Sequence, residues 1–299
     1  MTAINAATEG IPAVPEYAGP RRITKFRRIV RQQPLGVLGA LIIIALIVTS
    51  ALADTVAPYD PTSTEFSGLQ SPNGTNLFGT DDKGRDILSR VIHGSRTSLE
   101  VGIIATVIGT LGGLLVGLIS GYFGGIVDLL LQRVMDALQA FPLIILALIM
   151  VAIFGNSVVK LMVVVGIAII PGVGRIMRGI VLSEKQGLYV EAARATGATS
   201  GRIMFRHILP NIAAAVIVIS TTLLGAAILV EAALSFLGLG TPPPTPSWGA
   251  DLSGNARRYF THAPWMAIFP GLALSLVVLG FNLLGDALRD VLDPRLRNR

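Results

Sequence analysis

The sequence predicts an all-α integral membrane protein with six transmembrane helices, and three observations carry that prediction. The 299 residues are 52% hydrophobic and only 14% charged, with a mean hydropathy of +0.68, too apolar for a water-soluble chain of this length and too poor in charge for a disordered one. The apolar residues fall in runs of about 20, the length of helix that crosses a hydrocarbon core. Lys and Arg gather beside those runs on alternate loops, 17 on the face that holds both termini and 7 on the other, of 24 in all. The net charge of +6 therefore reads as topology; a nucleic-acid surface would need a basic stripe interleaved with aromatics. Cysteine is absent, which excludes a disulfide framework, a thiolate nucleophile and Cys-ligated metal.

Residues 1–33 form a tail rich in Ala, Pro and Gly that turns basic through Arg21, Arg22, Lys25, Arg27, Arg28 and Arg31. Those cations hold the start of the first span, within 34–54, on the inside. Ala51-Leu52-Ala53 also fits a signal-peptide cleavage site, but the apolar run is long for a signal core and is read as a retained helix. Residues 55–98 are polar and lie outside by topology. Pro58, Pro61, Pro72 and Gly74 make their first half irregular. In the second half Thr80 is the expected N-cap, Asp81 and Asp82 suit a first helical turn, and Ile87, Leu88, Val91 and Ile92 share one face. This is the layout of a helix lying in the membrane interface, as an anchor or as a contact for an extracytoplasmic partner.

Residues 99–285 hold the other five spans. In the second, Ala105, Gly109, Gly113, Gly117 and Gly121 recur at every fourth position, a ribbon that lets another helix approach backbone to backbone. The third is expected to run unbroken to about residue 154, with Asp128 and Arg133 at its inner mouth and Asp136 deeper, as a structural ion pair or a gating contact. The fourth is expected to kink or end at Pro171-Gly172. The fifth carries Glu231, an acid at membrane depth, for which lining or gating a pathway and a structural hydrogen-bonding role are both open. Trp248 and Trp265 suit an interfacial belt around a Pro-rich outer loop. The sixth span gives way at 286–299 to a basic inner tail.

Between the fourth and fifth spans lies a polar helix-turn-helix, 187–211. Ala192, Ala193, Ala195 and Ala198 favour a slim helix that Gly197 ends, Thr199 or Ser200 caps the next short helix, and Pro210 opens the following run. Such a segment lies on the membrane surface, as a plain linker or as a helix that docks into a partner. Glu191, Ala192, Ala193, then Gly197, then Ile208, Leu209 and Pro210 resemble the EAA signature of bacterial ABC-importer permeases. The resemblance extends along the chain: an RQQPLGVLG entry at 31–39, APYDP at 57–61, GTDDKGRD at 79–86, GYFGGIVD at 121–128, EAALSFLGLG at 231–240, PTPSWG at 244–249 and FNLLGDALRDVLDPRLR at 281–297. Together these are similar to the C-type permease of dipeptide, oligopeptide and nickel importers; Ala287 departs from a Gly expected in that ending.

The resemblance implies a type I importer bundle whose loop 187–211 is a cytoplasmic coupling helix. Glu191, Ala192, Ala193, Gly197, Ile208, Leu209 and Pro210 would then meet an ATPase. It further implies a homologous second permease, cytoplasmic ATPase subunits that hold ATP and Mg, an extracytoplasmic binding protein, a bacterial inner-membrane location with both termini cytoplasmic, and cargo of di- or oligopeptides, with nickel chelates or glutathione as alternatives. The chain itself is expected to hold no cofactor or metal and to be no enzyme. None of Lys25, Lys83, Lys160 or Lys185 follows a Gly as in a phosphate-cradling loop, and His93, His207 and His262 form no metal-binding pair. The rival class is a self-sufficient secondary transporter using Glu231 or Asp136 in a proton relay.

Overall fold

The computed structural model describes residues 33–155 and 157–292, so the readings of residues 1–32 and of Arg295, Arg297 and Arg299 lie outside the described residues. The described residues open on α1 (Pro34–Ala51) and a short α2 (Ala53–Val56), followed by an irregular segment held together by turns. Then come α3 (Ile87–Phe123), α4 (Gly125–Gln139), α5 (Leu143–Phe154), α6 (Val158–Glu184), α7 (Leu188–Ala195) and α8 (Ser200–Arg202). A π-helical segment (Ile203–Ile208) leads into α9 (Leu209–Phe236), and α10 (Trp248–Leu252), α11 (Asn255–Arg258) and α12 (Trp265–Leu292) complete the described residues. Five of these runs are long and apolar enough to cross a bilayer, and α4 with α5 makes a sixth when the bent pair is counted as one span.

The boundaries depart from the sequence reading in four places. The interfacial helix and the second span are one helix of 37 residues, so the division at residue 98 falls inside α3. Its N-cap is Asp86, which accepts from Ser89 N at 2.8 Å. Thr80 is committed elsewhere, accepting from Gln70 N and donating to Ser67 O. Asp81, instead of opening a helix, closes a turn by accepting from Lys83 N and Arg85 N. The third span is broken, bending by 88° between α4 and α5. Pro142 lacks an N–H and disfavours helical backbone at Phe141, which is enough to stop α4 where nothing else holds the axis straight.

Pro171 does not end the fourth span: it lies buried inside a helix that continues to Glu184. The sixth span continues past residue 284 to Leu292, because nothing in Gly285–Leu292 forbids helix once it leaves the bilayer, so residues 286–292 of the expected tail are helical.

The bundle is built on close backbone approach. The small-residue ribbon of α3 lies against α6: a Cβ added at Gly113 would come within 2.5 Å of Val173 Cβ, and one at Gly117 within 2.5 Å of Met177 Cβ. At Gly109 the neighbours are Ile169 and the Gly166 carbonyl. Gly39 of α1 meets Gly280 O and Leu284 N of α12 in the same way. With no hydrophobic force between helices in lipid, this contact density is the main source of cohesion.

At the end of the bundle that carries α7, Arg178 of α6 grips Asp128 of α4 with two bonds of 2.6 Å, and Ser120 of α3 donates to the same carboxylate. The pair fastens α4 to the α3–α6 seam.

Candidate functional site

The polar loop is folded as a rigid bracket. Gly197 has φ +79°, a conformation that glycine adopts without penalty. Its N–H bonds to Arg194 O at 2.9 Å and the next, Ala198 N–H, to Ala193 O at 3.0 Å, which is the Schellman closure of a helix. Thr199 then caps α8 by accepting from Arg202 N. The π segment precedes Pro210: the Leu209 N–H reaches back five residues to Met204 O, and the widened turn admits a proline ring that an α-turn would exclude.

The seven residues singled out in the sequence divide between two faces of this bracket. Glu191, Ala192, Gly197 and Pro210 are exposed, whereas Ala193 and Ile208 are buried and Leu209 is partly so. Val190, Ala193, Ile203, Met204 and Ile208 join the core cluster of α3 and α6. A Cβ at Gly197 would meet nothing within 4 Å. The bracket is thus tied inward by its apolar residues and presents a smooth face outward.

The opposite end holds Glu231, whose side chain has no exposed surface. Ser235, one helical turn on, donates to Oε1 at 2.7 Å; Thr241 donates to Oε1 at 3.3 Å and Ser98 of α3 to Oε2 at 3.2 Å. Three hydroxyls therefore hold one acid and pin the loop at Thr241 to α3 and α9.

Close by, Arg90 of α3 is buried and bonds Asp251 of α10 through Nε at 2.9 Å and through Nη2. It also donates to Pro61 O at 3.0 Å. Trp248 is 2% exposed and bonds Val91 O at 2.9 Å, so it is a core residue and not part of an interfacial belt. Trp265 donates to Thr80 O at 3.2 Å. A cavity of about 290 Å³ opens beside this cap, lined by charged groups including Asp82, Lys83, Arg85 and Asp251.

Sequence reasoning did not foresee Arg90, Asp251, Ser98 or Thr241. Only Ser235, four residues from Glu231 on one helix face, was signalled by spacing. Asp136 bonds Arg175 at 2.6 Å, and both side chains are half exposed. Because exposed pairs contribute little, Asp136→Asn is expected to cost at most about 1 kcal/mol in unfolding of the purified protein. A loss of uptake far beyond that cost would mark the pair as a gate.

Comparison with known families decides what this bundle is. The family described as "Binding-protein-dependent transport system inner membrane component" matches residues 113–298, a stretch that includes the glycine seam from Gly113 on, the bracket and Glu231. The chain belongs to this family.

The permease also matches, over residues 23–75, the "N-terminal TM domain of oligopeptide transport permease C". It is 42% identical over 269 residues to the dipeptide transport system permease protein DppC of Alkalihalophilus pseudofirmus, covering 90% of this chain and 88% of that protein. It is 44% identical over 275 residues to the glutathione transport system permease protein GsiD of Escherichia coli and of Shigella sonnei, covering 91% and 90%. The permease is therefore a multi-pass membrane component of an importer, a transport protein and not an enzyme by family.

Proposed function

We propose that the permease forms one half of the translocation path of an ATP-driven importer of di- and oligopeptides, with segment 187–211 as the lever that a cytoplasmic ATPase moves. The observation that carries this reading is the bracket. Its helix α7 is closed at Gly197 and anchored through Val190 and Ala193, so force on the exposed Glu191–Ala192–Gly197 face passes into α6 and α9 without being lost in a loose loop. Peptide cargo is supported by the family of oligopeptide permeases and by relatives named for dipeptide and glutathione transport. The excess of Lys and Arg on the bracket's side supports a cytoplasmic placement of that face and of both termini in a bacterial inner membrane.

In this mechanism an extracytoplasmic binding protein delivers peptide to the outer face of a permease pair, made of this chain and a homologous second one. ATP and Mg, held by partner ATPases, favour the closed ATPase dimer. Each coupling helix follows its ATPase, and the bundle reorients. ATP shifts that equilibrium only by the difference in its affinity for the two states, so the lever must be stiff enough to transmit it. A secondary transporter would need an accessible intramembrane acid; Glu231 is sealed among hydroxyls and Asp136 is paired with Arg175.

Two experiments test the reading. Gentle purification of the tagged chain from its native membrane is expected to recover a second permease, ATPase subunits and a binding protein; recovery of the chain alone, active without ATP, would overturn it. Separately, Gly197→Trp places bulk where this chain leaves open space; its positive φ strains the new side chain by about 1–2 kcal/mol, so the variant is expected to fold with lowered stability and to lose uptake. Gly197→Asn tolerates the same positive φ and is expected to keep most activity. Equal uptake by the two variants would remove the lever from this face.

A further inference from the structure

The inward face of α7 meets the last turn of α3 at Tyr122, a residue that is 7% exposed. Two cations face its ring: Lys185 Nζ lies 5.7 Å from the centroid and Arg194 Cζ 5.8 Å. Lys185 is the C-cap of α6 and Arg194 belongs to the last turn of α7, so one aromatic ring is faced from the helix that enters the bracket and from the bracket's own helix. Among the described residues neither cation has a carboxylate within 4.0 Å. Both cations lie within the range over which the ring's negative face attracts a positive charge.

Tyr122 is itself held firmly. Its neighbour Gly121 sits so close to α6 that an added Cβ would lie 3.0 Å from Arg178 O, and Phe123 meets the Tyr122 ring edge-on at 5.3 Å. Val190 and Ala193 of α7 belong to the same buried cluster as Tyr122. Burial of Val190 and Ala193 keeps α7 on the bundle, and the Tyr189 hydroxyl, donating to Glu184 at 2.7 Å, ties its first turn to α6, which leaves the last turn to be set by other contacts. The cation–aromatic pair at Arg194 supplies the missing constraint.

We infer that Tyr122 is the positioning residue of the bracket: through Arg194 and Lys185 it fixes the rotational setting of α7 that turns Glu191, Ala192 and Gly197 outward. The inference rests on the coupling role proposed above for that face.

The chain has no cysteine, so paired spin labels can be placed by Leu188→Cys, 82% exposed, and Gly179→Cys, where a Cβ meets nothing within 4 Å. In the assembled importer, Tyr122→Leu is expected to broaden the distance distribution between the labels and to lower uptake about tenfold, the size of effect that loss of two cation–π contacts permits. Tyr122→Phe keeps the ring and is expected to restore both. The double change Lys185→Gln with Arg194→Gln keeps the ring, removes the cations and is expected to broaden the distribution as Tyr122→Leu does.

An unchanged distribution in Tyr122→Leu, or equal broadening in the Leu and Phe variants, would overturn the inference. Should Tyr122→Leu fail to assemble, an unchanged distribution in the double variant does so instead. If no ATPase accompanies the unsubstituted protein, the coupling reading fails by itself, while the label distances still decide whether Tyr122 orders α7.

Discussion

Gly113→Leu is expected to prevent recovery of folded permease, whereas Gly179→Leu on the exposed side of α6 is expected to be tolerated. At position 113 the first added carbon would already stand 2.5 Å from Val173 Cβ and 2.9 Å from Gly174 N, so the obstacle includes backbone, which cannot rotate aside. Overpacking where neighbours can adjust costs about 1–3 kcal/mol, and a clash with backbone lies at or beyond the upper end of that range. Total stabilities are only about 5–15 kcal/mol, so separating α3 from α6 along this seam removes a large share of what holds the protein. Gly117 is similarly enclosed, by Met177 Cβ and Arg178 N. Yield and melting temperature in detergent measure the effect; a Gly113→Leu protein as stable as the unsubstituted one would show that the seam opens freely.

Glu231→Ala is expected to release loop 237–247 from the bundle. The substitution removes the acceptor shared by Ser98, Ser235 and Thr241 and leaves the last two buried hydroxyls only each other as side-chain partners. Each orphaned group costs about 1–3 kcal/mol, so even two of them outweigh most single surface changes. Hydrogen exchange over 237–250 is expected to accelerate strongly in Glu231→Ala and little in Glu231→Gln, whose amide fills the same space and whose hydroxyl partners can turn to suit it. Retained uptake in Glu231→Gln is the expected companion result. A Gln variant with normal exchange and no uptake would instead assign the carboxyl a part in moving cargo.

The fold class and the bracket were legible in sequence because their determinants are local. Ala-rich helix, Gly197 and Thr199 stand within eight residues of one another, and each acts on its own backbone. The glycine ribbon was equally plain as a period, although the sequence did not say which helix would lie upon it. Pattern misled at the start of α3: the shared face of Ile87, Leu88, Val91 and Ile92 suggested an interfacial helix, but the polar residues between and beyond them have distant partners, and Arg90 is buried. Asp251 meets Arg90 across 161 residues, and Asp54 meets both Arg96 and His93. Long-range pairing of this kind leaves no trace in spacing.

Pro142 and Pro171 make the same point in opposite directions. The first breaks its span and the second does not, because Ile169 and Val173, on either side of Pro171, are clamped in the α3 seam. Pro142, by contrast, is exposed. A proline's effect is set by what grips the helix around it.

The unbroken course of α3 has a mechanical consequence. Ser98 belongs to the hydroxyl cage at one end and Tyr122 faces the bracket at the other, about 36 Å apart at 1.5 Å per residue, with no proline between them. A shaft of this kind has no joint at which a displacement could be absorbed. With the glycine track packed along α6 over much of that length, the two helices form one stiff strut between the hydroxyl cage and the bracket.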